Sequence, residues 1–426
     1  MHSVHALIRE VEQAFAQQPE VALTFARCLP NSLETALQPG PGGTFVITGD
    51  IPAMWLRDAA AQVWPYLPLC AGDPPLRELL AGVIRQQARQ LLTDPYANAF
   101  NAAPSGAGHA GDQPPRHPLV WERKFELDSL CYPIRLAHGY WRHTGDLEPL
   151  RGDFLSALRV ILEVMHTEQR HDERSAYRFW RPGEVPATDN LPAGGRGHPT
   201  APCGLIWSAF RPSDDACELN YHVPGNMMAA VELAHAAELA GRLDDPELAA
   251  VCRALGHEIR AAIEEHAVVS HPDFGRLYAY ETDGRGHHVL MDDANVPSLL
   301  SAPYLGYLSA DDPTYRATRR FVLSPANPYF ARGAFAQGVG SPHTPAGHVW
   351  PIGLAMAGLT ATDAAERRAA LDMLVSTTAG TRLMHESFHP DDPATFTREW
   401  FGWANGLFAE LVLAVLAPEP RAVPGS

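Results

Sequence analysis

The chain has 426 residues, 46% of them hydrophobic, enough to bury a sizeable core as one large domain or two ordinary ones. Asp and Glu (49) outnumber Lys and Arg (33), and the net charge of −16 repels phosphate backbones and anionic lipid. Nucleic-acid and membrane partners are therefore disfavoured, while a neutral ligand is indifferent to the charge. The six cysteines (Cys28, Cys70, Cys131, Cys203, Cys217 and Cys252) form no C-x-x-C pair and sit mostly among apolar residues, which reads as buried, reduced thiols. The opening stretch MHSVHALIREVEQAF is amphipathic and has neither the basic nor the apolar region of a signal peptide. No apolar run reaches the roughly 18 residues of a membrane span, so a cytoplasmic location is the expectation.

In chain order, apolar residues at three- and four-residue spacing predict helices near 2–17, 54–70, 74–92, 124–143, 147–169 and 215–241. Six more follow near 244–267, 294–308, 312–324, 346–360, 362–380 and 397–416, making twelve. Strand signals are few: YRFW at 177–180, and RLYAYE with HHVLM around the turn TDGRG, which predict one hairpin. Nothing alternates strand with helix, so a doubly wound α/β sheet is disfavoured.

The connections between helices are of two kinds. Some are short and plain, such as AGDPP and GRLDDPE. Six are long and rich in Asp, His, aromatics, Gly and Pro: 39–58, 94–128, 170–214, 268–295, 325–346 and 381–397. The two kinds alternate. Stacked helical hairpins place every second connection at the same end, so the expectation is an all-α, single-domain (α/α)6 barrel over 1–426 with the six rich loops and a small β-hairpin at one mouth.

These loops carry TGDIPAMWLRD, WERKFELD, RPSDDACELNYHVPGNM, MDDANVPSLL, GSPHTP with HVWPIG, and MHESFHPDDPATFTREWFGWAN. Carboxylates beside Trp, Tyr and His, with few Lys, suit an uncharged ligand covered in hydroxyls, as sugars are. A phosphate ligand calls for Lys, Arg or a Gly-rich cradle; Lys is scarce in these loops, and no Walker or dinucleotide pattern is present. Plainer readings stand beside this one. Asp215 opens D-A-C-E and has the spacing of a capping box with Glu218, and Asp293 before ANVPSLL has a similar helix-start reading. Arg57 and Asp58 read equally as a buried ion pair, although such a pair is a poor source of stability. HESFH (385–389) matches the H-E-x-x-H of zinc peptidases, with Glu410 downstream. Pro390 directly after His389 breaks the helix which that motif requires.

Taken together, TGDIPAMWLRDAAAQVWPYL, ERKFELDSLCYPI, RPSDDAC, MDDANVPSLL, GSPHTP…VWPI and MHESFHPDDPATFTREWFGWAN resemble glycoside hydrolase family 125, the bacterial exo-α-1,6-mannosidases. The resemblance runs in order from about residue 20 to 416. It implies an (α/α)6 barrel and metal-independent, cofactor-free removal of terminal non-reducing α-1,6-linked mannose, with inversion. N-glycan-type or mannan fragments are the implied substrates. By resemblance Asp215 is the general acid and Glu386 the general base, with Asp214 as an alternative acid and Glu399 a rival base. Residue type and loop position add Trp55, Arg57, Asp58, Asp214, Asp292, Asp293, Asn295, His343, Trp350 and His385 as sugar-binding candidates. Arg57→Ala is then expected to weaken binding without unfolding the protein. Ala59 stands where the family pattern suggests Ser, and 102–117 and 193–198 read as loop elaborations. A sugar isomerase or epimerase on the same toroid, and less so a zinc peptidase through HESFH, are the alternative functions.

Overall fold

In the computed structural model, which describes residues 1–417, two groups of helices begin in different ways. Asp73, Asp245 and Asp312 each precede a proline and accept a hydrogen bond from the N–H three residues on, that of Leu76, Leu248 or Tyr315. The aspartate satisfies one orphan N–H of the first turn, and proline takes the position whose N–H is dispensable. The helices they start, Pro74–Thr93, Pro246–His266 and Pro313–Val322, bury one stripe and expose the rest.

Five others follow directly on an extended residue: Leu56–Val63 after Trp55, Leu127–Thr144 after Glu126, Val223–Arg242 after His222, Pro351–Leu359 after Trp350, and Gly402–Leu416 after Phe401. They are far more completely buried. All eight residues of Leu56–Val63 are inside, Arg57, Asp58 and Gln62 among them. Leu56–Val63 packs against both Leu127–Thr144 and Gly402–Leu416; Leu127–Thr144 packs on Val223–Arg242, and Gly402–Leu416 on Pro351–Leu359. The one-sided helices lie outside this row: Pro246–His266 against Val223–Arg242, Ala364–Ser376 against Pro351–Leu359, Pro19–Cys28 against Gly402–Leu416. A Cβ on Gly402 would stand 2.5 Å from the Gln62 amide oxygen, so the close approach of the two inner helices depends on that glycine. One continuous hydrophobic cluster extends from Val4 to Val412.

The structure corrects several sequence expectations. Segment 294–308 forms turns rather than a helix. Pro297 and Pro303 offer no N–H, the Asp292 carboxylate takes the N–H groups of Leu299 and Leu300, and the Ser298 and Ser301 hydroxyls each accept the other's N–H. The segment still fills a gap in the inner row, with Ala294 against Gly353 and Gly306 near Val231. The helix expected from 215 starts at Val223, because the Glu281 carboxylate binds the N–H groups of Glu218 and Leu219. Asp215 is therefore not a helix cap. The last helix starts at Gly402 rather than 397, after the strand Asp392–Thr397. The first stops at Ala14, and Pro19–Cys28 is a helix that the periodicity missed. Of the expected hairpin, Glu281–Thr282 does pair with His288–Val289, but RLY pairs backward with Val268–His271. YRFW makes a single bridge, Trp180 to Gln113.

Candidate active site

The extended residues ahead of the inner helices, with the loops that cross them, line a half-open cavity of about 430 Å³, counting the solvent at its mouth. Its walls are Trp55, Trp350, Phe401 and Trp403; its polar groups include Arg57, Asp58, Asp214, Asn295, His343, Glu386 and Arg398. Every inner-helix residue in this set lies in a first turn or just before it. The positive ends of the helix dipoles thus face a cavity lined with carboxylates.

Arg57 organises one side. It is 3% exposed, and its Nη1 donates to Glu126 Oε2 (2.6 Å) and Asp128 Oδ2 (3.0 Å) while Nη2 donates to Asp214 Oδ1 (3.0 Å). Asp58 Oδ2 stands 3.7 Å from its Nε, an atom with no hydrogen-bond partner. Glu126 also accepts from Asn98 and Ser129, and Asn98 reaches Asp214 at 3.4 Å. Lys124 donates to the Asp214 carbonyl (2.7 Å) and to Asp189 (2.6 Å). Four carboxylates around one guanidinium cannot share it equally. Burial pushes Asp58 up to about 6 against the pull of Arg57, and burial likewise raises Glu126 and Asp128. Asp214 goes the other way: burial opposes, but its hydrogen bond with Glu126 and the charges of Arg57 and Lys124 hold it well below the usual carboxylate range.

Glu386, also in the cavity wall, is 7% exposed, with Arg398 Nε 3.4 Å from its Oε1. Asp214 (φ 66°) and Arg398 (φ 50°) are both in the left-handed region without being glycine, a strain that functional sites commonly hold. Asp215 sits flush behind the wall, 4% exposed, accepting from the Ser213 hydroxyl (3.1 Å) and 3.7 Å from His343 Nδ1. Burial alone would lower His343, but the Asp215 carboxylate, with Asp214 and Glu386 behind it, raises it to about 9.

The structure thus brings together Trp55, Arg57, Asp58, Asp214, Asn295, His343, Trp350 and Glu386 from the sequence candidates. Asp215, the expected general acid, and three others do not line the cavity. Asp292 holds the 294–308 turns, and burial pushes it up to about 8. Asp293 accepts from both the backbone and the side-chain nitrogen of Asn295, and so orients that cavity residue. His385 is buried, stacked on Phe396 at 3.7 Å, with both ring nitrogens facing backbone carbonyls of Arg398 and Thr378. Missed were Arg398, Phe401, Trp403 and the supports Asn98, Lys124, Glu126 and Asp128. The last three lie in WERKFELD, so a signal existed, but no periodicity says which of its charges turn inward.

HESFH is not helical. Ser387–His389 is a strand paired with Asp392–Thr397, and His389 lies against His348 instead of joining His385. Among the described residues no group of three or more His, Cys, Asp or Glu is arranged to hold a metal ion, and no helix is long and apolar enough to cross a membrane.

A helical scaffold that gathers carboxylates, an arginine pair, a histidine and tryptophans around one half-open cavity fits a carbohydrate-processing enzyme. Residues 18–413 match the family model described as metal-independent α-mannosidase (GH125), and the chain belongs to that family of glycoside hydrolases. A Streptococcus pneumoniae structure described among metal-independent α-mannosidases that process N-linked glycans, a non-productive substrate complex with α-1,6-mannobiose, is 44% identical. It has a TM-score of 0.95 and 98% of each chain covered. The Schizosaccharomyces pombe meiotically up-regulated gene 157 protein is 41% identical over 98% of this chain and 86% of its own. A bacterial glucoamylase complexed with acarbose, 13% identical with a TM-score of 0.59, shares the fold over 95% of this chain and 56% of its own.

Proposed function

We propose that this α-mannosidase removes terminal non-reducing α-1,6-linked mannose from oligosaccharides by a single displacement with inversion. The observation that carries this reading is that Glu386 and Asp214, the chain neighbour of Asp215, line one aromatic-walled cavity, in a chain 44% identical to a protein crystallised with α-1,6-mannobiose. Asp215 is the general acid and protonates the leaving oxygen. Glu386, oriented by Arg398, takes a proton from the water that attacks the opposite face of the ring. Asp214, whose carboxylate lines the cavity and already accepts from Arg57 and Asn98, suits the binding of sugar hydroxyls. Arg57, Asp58, Asn295 and His343 bind the remaining hydroxyls of the terminal mannose, and Trp55 and Trp350 wall it in.

The architecture in this reading is one (α/α)6 domain. Its inner wall is the five buried helices plus the 294–308 turns; its outer ring is Pro19–Cys28, Pro74–Thr93, Asp153–Glu168, Pro246–His266, Pro313–Val322 and Ala364–Ser376. All six cysteines are free, which supports a reducing, cytoplasmic location.

The direct test follows the anomeric proton signals during hydrolysis of α-1,6-mannobiose by EDTA-treated enzyme. β-Mannose is expected first. α-Mannose first means retention and a different carboxylate pair, and activity that returns only with added metal overturns the scheme. Asp58 supplies a pH test. It accepts hydroxyl protons in its charged form, and that form is lost as pH falls through about 6. KM for the mannoside is therefore expected to rise below that pH with little change in kcat. Asp58→Asn should have a high KM already at pH 7.5 and lose that limb; an unaltered limb removes Asp58 from binding.

A further inference from the structure

Beside the catalytic loop lies a second, wider depression of about 1040 Å³ with no part in the chemistry above. Its walls include Trp180, Thr188, Asn190, His198, Cys217 and Glu218, with no lysine or arginine. That lining favours neither an anionic nor a cationic partner. Most of the remaining wall is apolar, Val185, Pro186, Leu191 and Pro192 among it, so the depression offers an aromatic and aliphatic face with a few amide, hydroxyl and carboxylate groups at hand.

Trp180 is 48% exposed. A single exposed aromatic is ordinary on a protein surface, but this one is held in place with unusual care. Its N–H donates to the Gln113 carbonyl (2.9 Å), and its own carbonyl accepts from the Gln113 N–H (2.7 Å). The next residue, Arg181, donates to both oxygens of Asp112 (2.9 and 2.7 Å) and to Glu122 (2.7 Å), all in buried positions. Asn190 then clasps the Arg181 backbone, accepting from its N–H at 2.6 Å and donating to its carbonyl at 2.9 Å. Hydrogen bonds thus pin the backbone of Trp180 and Arg181 while the indole stays open to solvent. A rigid aromatic plane binds a ring face at low entropic cost. The clamp comes from Asp112 and Gln113, inside the 102–117 elaboration of the chain.

The depression and the catalytic cavity share one loop in their walls. Asp214 lines the cavity and Ala216 lines the depression, and two residues of chain span at most about 7 Å. Ala216 is tied in turn to the depression's rim, its N–H donating to the Thr188 carbonyl at 2.7 Å.

We propose that this depression is a distal subsite in which Trp180 stacks on a mannose unit beyond the scissile linkage, toward the reducing end of a longer α-mannoside. The assignment rests on the α-1,6-mannosidase reading above. The subsite makes the enzyme prefer oligosaccharides longer than the disaccharide.

The test compares kcat/KM for α-1,6-mannobiose and linear α-1,6-mannotetraose in the full chain and in Trp180→Ala and Trp180→Phe. The unaltered enzyme is expected to favour the tetraose. Trp180→Ala should lower the tetraose-to-biose ratio about five- to tenfold, mostly through KM for the tetraose. Trp180→Phe, which keeps an aromatic face, should retain most of the ratio. A ratio unchanged in Trp180→Ala, or no preference for the tetraose in the unaltered enzyme, overturns the subsite. A loss in Trp180→Ala equal for both substrates also overturns it and makes Trp180 a structural residue. Failure of the unaltered enzyme to cleave mannobiose is a different result, and it sinks the functional reading instead.

Discussion

Asp215→Asn is expected to lower kcat on α-1,6-mannobiose about 10³-fold, yet less than about 10-fold on a dinitrophenyl α-mannoside. The two leaving groups differ in what they need. A sugar hydroxyl departs as an unstable alkoxide unless it is protonated as the bond breaks, whereas dinitrophenolate leaves as a stable anion. Removing the general acid therefore penalises the first substrate selectively. Asp214→Asn separates the two adjacent aspartates. Asp214 accepts from Arg57 and Asn98, and its carboxyl is held well below the usual range, so its loss should raise KM on both substrates alike. Equal losses on both substrates for Asp215→Asn would remove it as the acid. A leaving-group dependence in Asp214→Asn instead would exchange the two roles.

The six long connections and their residue types were legible because alternation of plain and rich loops survives errors of several residues at helix ends. Five of the six rich loops supply cavity residues. What the sequence hid were competitions between side chains and backbone. D-A-C-E reads as a cap, but Glu281, over sixty residues away, takes the N–H groups a helix there would have used. Segment 294–308 has helical spacing, but Asp292 and two serines claim its amides. Trp403 has the spacing of a core residue and is one, yet it also lines the cavity. Periodicity reports which face is apolar. It does not report that the first turn of a buried helix opens onto a site, and that is where Arg57, Asp58 and Trp403 lie.

Arg57 was expected from sequence to be either a sugar ligand or a buried ion pair; the structure shows the ion pairs and leaves the side chain in the cavity wall, where the proposed sugar contact remains open to it. It lines the cavity and is also the guanidinium shared by Glu126, Asp128 and Asp214. The expectation that Arg57→Ala spares stability therefore reverses. Removing one partner of a buried charge network costs about 3–5 kcal/mol, because the remaining charges are left uncompensated. Part of that cost is relieved by protonation, since burial already raises Glu126 and Asp128. For a chain of 426 residues the unfolding entropy is roughly 0.9 kcal/mol/K, so the Tm of Arg57→Ala should fall by about 3–6 °C. The deficit should shrink at pH 5, where those carboxyls take up protons more readily, and activity should be lost at both pH values. Scanning calorimetry at pH 5 and 7.5 checks it. A fall in activity with no change in Tm would mean that the four carboxylates hold their positions without the cation, and that Arg57 serves the substrate alone.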